Sequence, residues 1–253
     1  MGVVLAGFSH VPILRELASL LIVENSLRPA AAIVAMAGQT PFREMEAAKL
    51  YQAGWAPQIF VVREAVTDES QALKQLGIKK PQSWELSRGV LIQQGVPSSA
   101  IIIPEGDAVG TLEELQVVWD ELRRRSRESE ESGARSDGSE AGGQKAAINN
   151  PREAESTKPS VNSVSSVVVN NPEIRNPKSE ILPVILVTSK YHTKRTRLTW
   201  QYVTGGQSQP IVRAASHDPF DPERWWQQRS FVLSVVREYL GLANYYLGFP
   251  VMP

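Results

Sequence analysis

The stretch Thr188-Ser189-Lys190-Tyr191-His192-Thr193-Lys194-Arg195-Thr196-Arg197 holds Lys190, Lys194, Arg195 and Arg197 without one carboxylate among them. It follows an apolar run and opens a helical pattern, so these cations stand at the amino end of a helix. That end already carries about half a positive charge, and helix stability alone favours acids there. His192 and Arg195 are three apart and share a face, while Ser189 supplies either a cap or a hydroxyl donor. A solvated basic face accounts for Lys194 and Arg197. For Ser189, His192 and Arg195 the pattern points to a bound anion, met by side chains and helix amides together.

The loop Ala37-Gly38-Gln39-Thr40-Pro41-Phe42-Arg43 repeats the anomaly. Thr40 is expected as an N-cap and Pro41 as the first helical residue, which puts Arg43 in the first turn. Either Arg43 pairs locally with Glu44 or Glu46, or it shares an anion with the exposed backbone amides. In Gly110-Thr111-Leu112-Glu113-Glu114 the spacing of Thr111 and Glu114 is that of a capping box, and Arg123–Arg125 balance the acids at the far end of the helix. Contact with a ligand is the other reading of those two residues. Ser216-His217-Asp218-Pro219-Phe220-Asp221 offers a His/Asp pair, although Asp218 before Pro219 is ordinary turn chemistry.

If Arg43 and Arg195 converge across neighbouring strand ends, they form a clamp suited to phosphate, carboxylate or pyrophosphate. The candidate ligand-binding residues are therefore Gly38, Gln39, Arg43, Thr111, Ser189 and Arg195, with His192 and Glu114 as candidate general acid/base groups. Neither G-x-G-x-x-G nor G-x-x-x-x-G-K-[ST] occurs, so a dinucleotide or nucleoside-triphosphate site has no support. With no cysteine and only His10, His192 and His217, thiolate zinc sites, disulfides and a histidine cage are excluded or improbable, and no metal is expected.

These loops need a frame. Ala31–Ala37, Ile59–Val62, Ala100–Ile103, Val184–Thr188 and Ile211–Ala214 read as strands, mostly apolar on both faces, as parallel strands covered by helices are. Between them lie helical patterns at Arg43–Ala53, Trp84–Gln94, Leu112–Arg125 and Tyr191–Val203, followed by a long helix from about Pro222 to Leu247. Gly54 and Gly95 stand where left-handed residues close the first two helices. Leu112, Leu115, Val118, Trp119 and Leu122 share one helical face. Trp225, Trp226, Phe231, Val235, Tyr239 and Leu242 are expected to seat the last helix on the sheet, with an interfacial membrane role for the tryptophans as the second reading. Such alternation predicts an α/β fold, a three-layer open, mainly parallel sheet of Rossmann-like type. Ligands in such sheets bind beyond the carboxyl ends of the strands, where all these loops fall.

The chain has 253 residues, 27 basic against 27 acidic, and that balance argues against a dedicated nucleic-acid partner. Between Asp120 and Lys190 there is no aromatic residue, and the stretch Arg127 to Glu180 is rich in Ser, Glu, Gly, Asn, Lys and Pro. It cannot bury enough apolar area to offset an ordering cost of about 1–2 kcal/mol per residue. Residues 126–182 are therefore expected to be a disordered insertion, with 30–125 and 183–249 forming one domain. The apolar segment 1–29 is interrupted by Pro12, Arg15 and Glu16. It reads either as a helix packed on the sheet or as the remnant of a membrane anchor.

The succession Ala31–Gly38, Arg43, Ala48-Lys49-Leu50-Tyr51-Gln52-Ala53-Gly54-Trp55-Ala56-Pro57, Gly95-Val96-Pro97, Ile101–Glu105, Gly110-Thr111 with Glu114, and Val187–Arg195 (VTSKYHTKR) resembles the YdcF-like family, which includes the SanA and ElyC proteins of bacterial envelopes. Trp225-Trp226 and Glu238 also look like that family. The resemblance spans roughly Ala30 to Val203 and implies a three-layer α/β domain, often tethered to the inner membrane, with roles in envelope and peptidoglycan-precursor physiology. One relative binds S-adenosylmethionine, and no reaction is settled for the family. Its recurrent polar residues fall here on Gly38, Arg43, Thr111, Glu114, Ser189, His192 and Arg195. The chain departs from the pattern at Val62-Arg63-Glu64-Ala65, where members have a Ser-Gly-Gly loop, and at Gly110, where they often have Asn.

The expected function is binding of an anionic, phosphorylated small molecule in bacterial envelope biogenesis, at the inner membrane or in the cytoplasm. The alternatives are a non-catalytic interaction module and an S-adenosylmethionine-binding protein. The sequence alone leaves enzymatic activity, cofactor and oligomeric state undetermined.

Overall fold

The computed structural model describes residues 2–137 and 183–248. Five strands, β1 (Ala32–Ala35), β2 (Ile59–Phe60), β4 (Ile101–Ile102), β6 (Val184–Thr188) and β7 (Pro210–Ala214), form one sheet in the order β4-β2-β1-β6-β7. All its pairs are parallel, with Ile33 opposite both Ile59 and Ile185. A separate parallel pair, β3 (Arg63–Glu64) with β5 (Asp107–Ala108), lies outside the five expected strands.

The apolar character of both strand faces follows from the two layers of helix. Along β1, Ile33 and Ala35 enter one core cluster with Ala47, Ala48 and Leu50 of α2 (Phe42–Gln52) and Leu91 of α4 (Ser83–Gln93). Ala32, Val34 and Met36 enter the other, with Leu115, Val118, Trp119 and Leu122 of α5 (Thr111–Asp137) and Trp200 of α6 (Thr193–Val203). Trp119 meets Trp200 edge to face at 5.9 Å. Each of the buried Val, Leu, Ile and Met side chains contributes about 1.5–3 kcal/mol, and each alanine less. This is the three-layer α/β architecture expected from the strand and helix periodicities.

A third cluster joins Leu14, Leu17, Ala18 and Leu21, in and just after α1 (Gly2–Ser19), to Phe220, Trp225 and residues of α7 (Arg229–Tyr246). The Trp225 indole donates to Leu14 O at 2.8 Å and the Tyr239 hydroxyl to Leu17 O at 2.7 Å. The carboxyl half of α1 is thus a packed helix. Among the described residues no helix is long and apolar enough to cross a membrane.

Three helix boundaries and one added helix differ from expectation. Helix α2 begins at Phe42, after a cis Thr40–Pro41 bond; Pro41 precedes it and Thr40 makes no backbone cap. The extra helix α3 (Asp68–Gln75) is short and has no buried residue, so it carries no core-facing stripe to reveal it. The last helix starts at Arg229, after a short 3-10 turn over Trp225–Gln227. Finally, α5 continues through Asp137 rather than stopping near Arg125. Arg124 and Arg125 both donate to Glu121, pairs one turn apart that suit a continuing helix. The rest of the expected insertion, 138–182, lies outside the described residues. Among the described residues, 2–126 and 183–248 belong to one compact unit, and α5 from Arg127 onward belongs to a second.

The chain leaves β1 toward β2 and β4 on one side and returns to β6 and β7 on the other. That reversal makes the carboxyl ends of β1 and β6 a topological switch point, where a crevice forms because successive connections diverge.

Candidate functional site

Beyond β1 the chain turns through Gly38, at φ 100°, and Gln39, at φ 47°. The φ of Gly38 belongs to glycine, whereas an added Cβ would only make an ordinary 3.5 Å contact with Arg43 Nη1. Arg43 folds back from the first turn of α2 under this loop. Its Nη1 donates to Met36 O at 3.2 Å and also to Ala37 O. Its Nε and Nη2 donate to Ser189 Oγ, at the end of β6, at 3.2 and 3.0 Å. Ser189 passes its own proton to Gln39 Oε1 at 2.7 Å. The guanidinium therefore staples the ends of the two switch-point strands.

Local pairing does not explain Arg43. Glu44 accepts from Thr40 and Ser87, and Glu46 accepts from Ser216 and lies near Lys49. Among the described residues no carboxylate reaches Arg43 at salt-bridge distance. Burial lowers its pKa and Glu114, at longer range, raises it. An arginine stays charged in any protein, so this is a buried cation whose direct contacts are all dipoles, with carboxylates such as Glu114 and Glu44 acting only at longer range.

Beyond β6, a 3-10 turn over Lys190–His192 leads into α6. Lys190 Nζ is held by the carbonyls of Asp218 and Phe220, while Asp218 accepts from the Lys190 and Phe220 amides. The loop Ser216–Asp221 is thus a brace, and His217 is exposed. Lys194 and Arg197 make no ion pair among the described residues.

Arg195 lies across α7. Its Nε and Nη2 grip Glu238 at 2.8 and 3.0 Å, and its Nη1 donates to Thr111 Oγ1 at 3.3 Å. Gly241 makes room for it, since a Cβ there would come within 2.7 Å of Arg195 Cδ. His192 Nδ1 sits 2.9 Å from Glu238 Oε2, and Nε2 sits 3.4 Å from Thr111 Oγ1. Burial pushes His192 below its ordinary pKa, although Glu238 pulls the other way. Burial also works against the charged form of Glu238, but His192 and Arg195 overcome it and hold the carboxyl at about 2.

Glu114, on the first turn of α5, turns outward from its own helix end. Its Oε1 accepts from the Ala37 N–H at 2.6 Å, so the expected capping box is replaced by a bond that ties α5 to β1. Burial raises this carboxyl to about 7, against the opposing Ala37 N–H and Arg43. Glu114 and Thr111 line a cleft of about 590 Å³ whose other wall includes Val62, Glu64, Val66 and Val109. The segment Val62-Arg63-Glu64-Ala65 thus puts an acid where a glycine-rich loop would put amides.

The eight residues singled out from sequence, Gly38, Gln39, Arg43, Thr111, Glu114, Ser189, His192 and Arg195, all meet at the switch point. The two arginines do not form an open clamp there. Arg195 gives its fork to Glu238, whereas Arg43 gives its own to carbonyls and a hydroxyl. His192 feels the charge of both. Glu238, which the sequence offers only through its family resemblance and not as a site residue, is central to the cluster. It falls on the apolar face of α7 defined by Phe231, Val235 and Leu242, and an acid on such a stripe was the available signal.

The amides of Gly38 and Gln39 have no acceptor among the described residues. Among those residues no group of three or more His, Cys, Asp or Glu side chains is placed to hold a metal ion. Comparisons with protein-family models, curated proteins and solved structures find nothing that matches this chain.

Proposed function

We propose that this chain binds an anionic small molecule, a phosphate or phosphate ester, in the cleft at the switch point. The observation that supports this most directly is Arg43, a buried cation without an acid partner, beside the free amides of Gly38 and Gln39. The start of α5, at Gly110, Thr111 and Glu114 in the lining of the cleft next to Ala37, adds a favourable dipole. Arg195 contributes structure more than charge, because Glu238 neutralises it. The resemblance to the YdcF-like family supports a setting in bacterial envelope biogenesis, at the inner membrane or in the cytoplasm.

Isothermal titration with inorganic phosphate and a sugar phosphate tests the reading. Arg43→Met is expected to weaken binding by roughly 10- to 100-fold, the worth of a charge-assisted hydrogen bond. Arg43→Lys, which keeps the charge but not the fork, falls between. Because Glu114 sits at about 7, an anion binds more tightly below that pH, where the carboxyl is neutral. A wild-type protein indifferent to phosphate ligands at pH 6 overturns the proposal.

A second reading has its own support. Glu64 and Glu114 with Val62, Val66 and Val109 make an acidic and apolar wall, the contacts that a sulfonium such as S-adenosylmethionine needs. Titration with that cofactor, in the same buffer, decides between the two.

A further inference from the structure

The cluster around Thr111 holds three groups in an order that moves a proton. Glu238 accepts two hydrogen bonds from Arg195 and faces His192 Nδ1, so that nitrogen carries the imidazole's hydrogen and points it at the carboxylate. The neutral ring then has a bare Nε2, facing Thr111 Oγ1 at 3.4 Å. Arg195 Nη1 already donates to that same oxygen. Thr111 must therefore give its own proton to His192. Hydroxyl, imidazole and carboxylate stand in line, and a guanidinium on the hydroxyl oxygen favours its negative form.

Access decides which member meets a substrate. His192 is 6% exposed and Glu238 2%, and both ring nitrogens of His192 are engaged. Thr111 is half-buried and lines the cleft. Glu114 lines it too, one helical turn further on, with Oε1 fixed by Ala37.

Resting on the anionic-ligand reading above, we infer that Thr111 is a nucleophile for phosphoryl transfer from a phosphate ester, with His192 as its base. The Thr111 oxygen forms a bond to phosphorus while the bond from phosphorus to the ester oxygen breaks, its electron pair leaving with that oxygen. The hydroxyl proton goes to His192 Nε2, and protonated Glu114 gives its proton to the departing oxygen. In the second half water attacks phosphorus and gives a proton to the Glu114 carboxylate. Thr111 leaves with the proton stored on His192. Ester and water become alcohol and inorganic phosphate, and every group returns to its starting state. A Glu114 that is half protonated near neutrality suits both halves of this exchange. Glu238 touches no substrate and is a positioning residue.

The full chain incubated with p-nitrophenyl phosphate, quenched in acid and read by tandem mass spectrometry, is expected to carry phosphate on Thr111. Thr111→Val is expected to abolish that label and lower hydrolysis by about 10³-fold or more, whereas Thr111→Ser keeps both. His192→Gln is expected to lower the rate by about 10²- to 10⁴-fold. The wild-type pH profile is a bell, with an acidic limb from His192 and a basic limb from Glu114. Glu238→Gln shifts the acidic limb to lower pH, because the carboxylate no longer favours the protonated ring; a purely structural role leaves that limb in place. Hydrolysis undiminished in Thr111→Val, or a wild type that binds phosphate yet neither hydrolyses the ester nor labels Thr111, overturns this inference and leaves the binding proposal standing. Absence of phosphate binding overturns both.

Discussion

Glu114 and Glu238 reach the same polar cluster from different helices and titrate in opposite directions. Glu238 has an arginine fork on both oxygens and an imidazole beside it, and these hold it ionised down to about 2. Glu114 is just as buried but has one backbone N–H, no cation in direct contact, and a carboxyl raised to about 7. Burial is common to both, so the partner decides. The Glu238 half is a closed, self-neutralised brace. The Glu114 half borders the cleft and is the half able to exchange a proton with something outside the protein. Two titratable groups driven apart by their surroundings are the usual mark of an acid and a structural anion sharing one site.

The largest test of this contrast is Glu238→Ala. It leaves Arg195 and the Nδ1 side of His192 without their partner in a buried setting, and loss of about 3–5 kcal/mol of stability is expected in urea denaturation. A loss below about 1 kcal/mol, the range of a surface pair, breaks the distinction between the two halves.

Next comes the pH dependence of folding. The pKa of Glu114 is raised in the folded protein, so its folded state binds more protons than the unfolded chain between 4.5 and about 7. Stability is full below that window and falls by about 3 kcal/mol as pH rises through it. For Glu238 the sign reverses: its contribution is present above 4.5 and is lost as pH falls toward about 2. Glu114→Gln is expected to remove the loss between pH 4.5 and 7 and to leave the acid limb unchanged, as read from denaturation midpoints across pH. An unaltered slope in that variant means Glu114 is an ordinary carboxylate.

The smallest effect concerns Gln39, which holds a left-handed conformation that costs a side chain about 1–2 kcal/mol. It accepts from Ser189 and so secures the hydroxyl under Arg43. Gln39→Gly relieves the strain and Gln39→Ala does not, while both lose the bond. The glycine variant is expected to be about 1 kcal/mol the more stable in thermal denaturation, and equal stability argues that the loop is relaxed.

Much of the frame is legible in the amino-acid sequence. The runs at Ala31–Ala37 and Val184–Thr188 are apolar on both faces because two helical layers cover them, and such runs are continuous rather than alternating. Gly54 and Gly95 adopt the positive φ expected where helices close. The pair β3 and β5 and the helix α3 were not legible, since two-residue strands and a helix with no buried face leave no periodic trace. The cluster was legible in membership but not in wiring. Misplaced charges at helix starts mark Arg43 and Arg195 as unusual, yet spacing along a chain does not say that Glu238, 43 residues beyond Arg195, fills one fork and not the other.

What the amino-acid order determined by itself is the alternation of strand and helix, the loops that gather at the strand ends, and the residue types those loops carry. These are local matters, set by periodicity, turn chemistry and the dipole of each helix. Only the tertiary structure decided which carboxylate meets which cation. Electrostatic pairing acts through space over a few ångströms, between groups that β1, α5, α6 and α7 bring from distant parts of the chain.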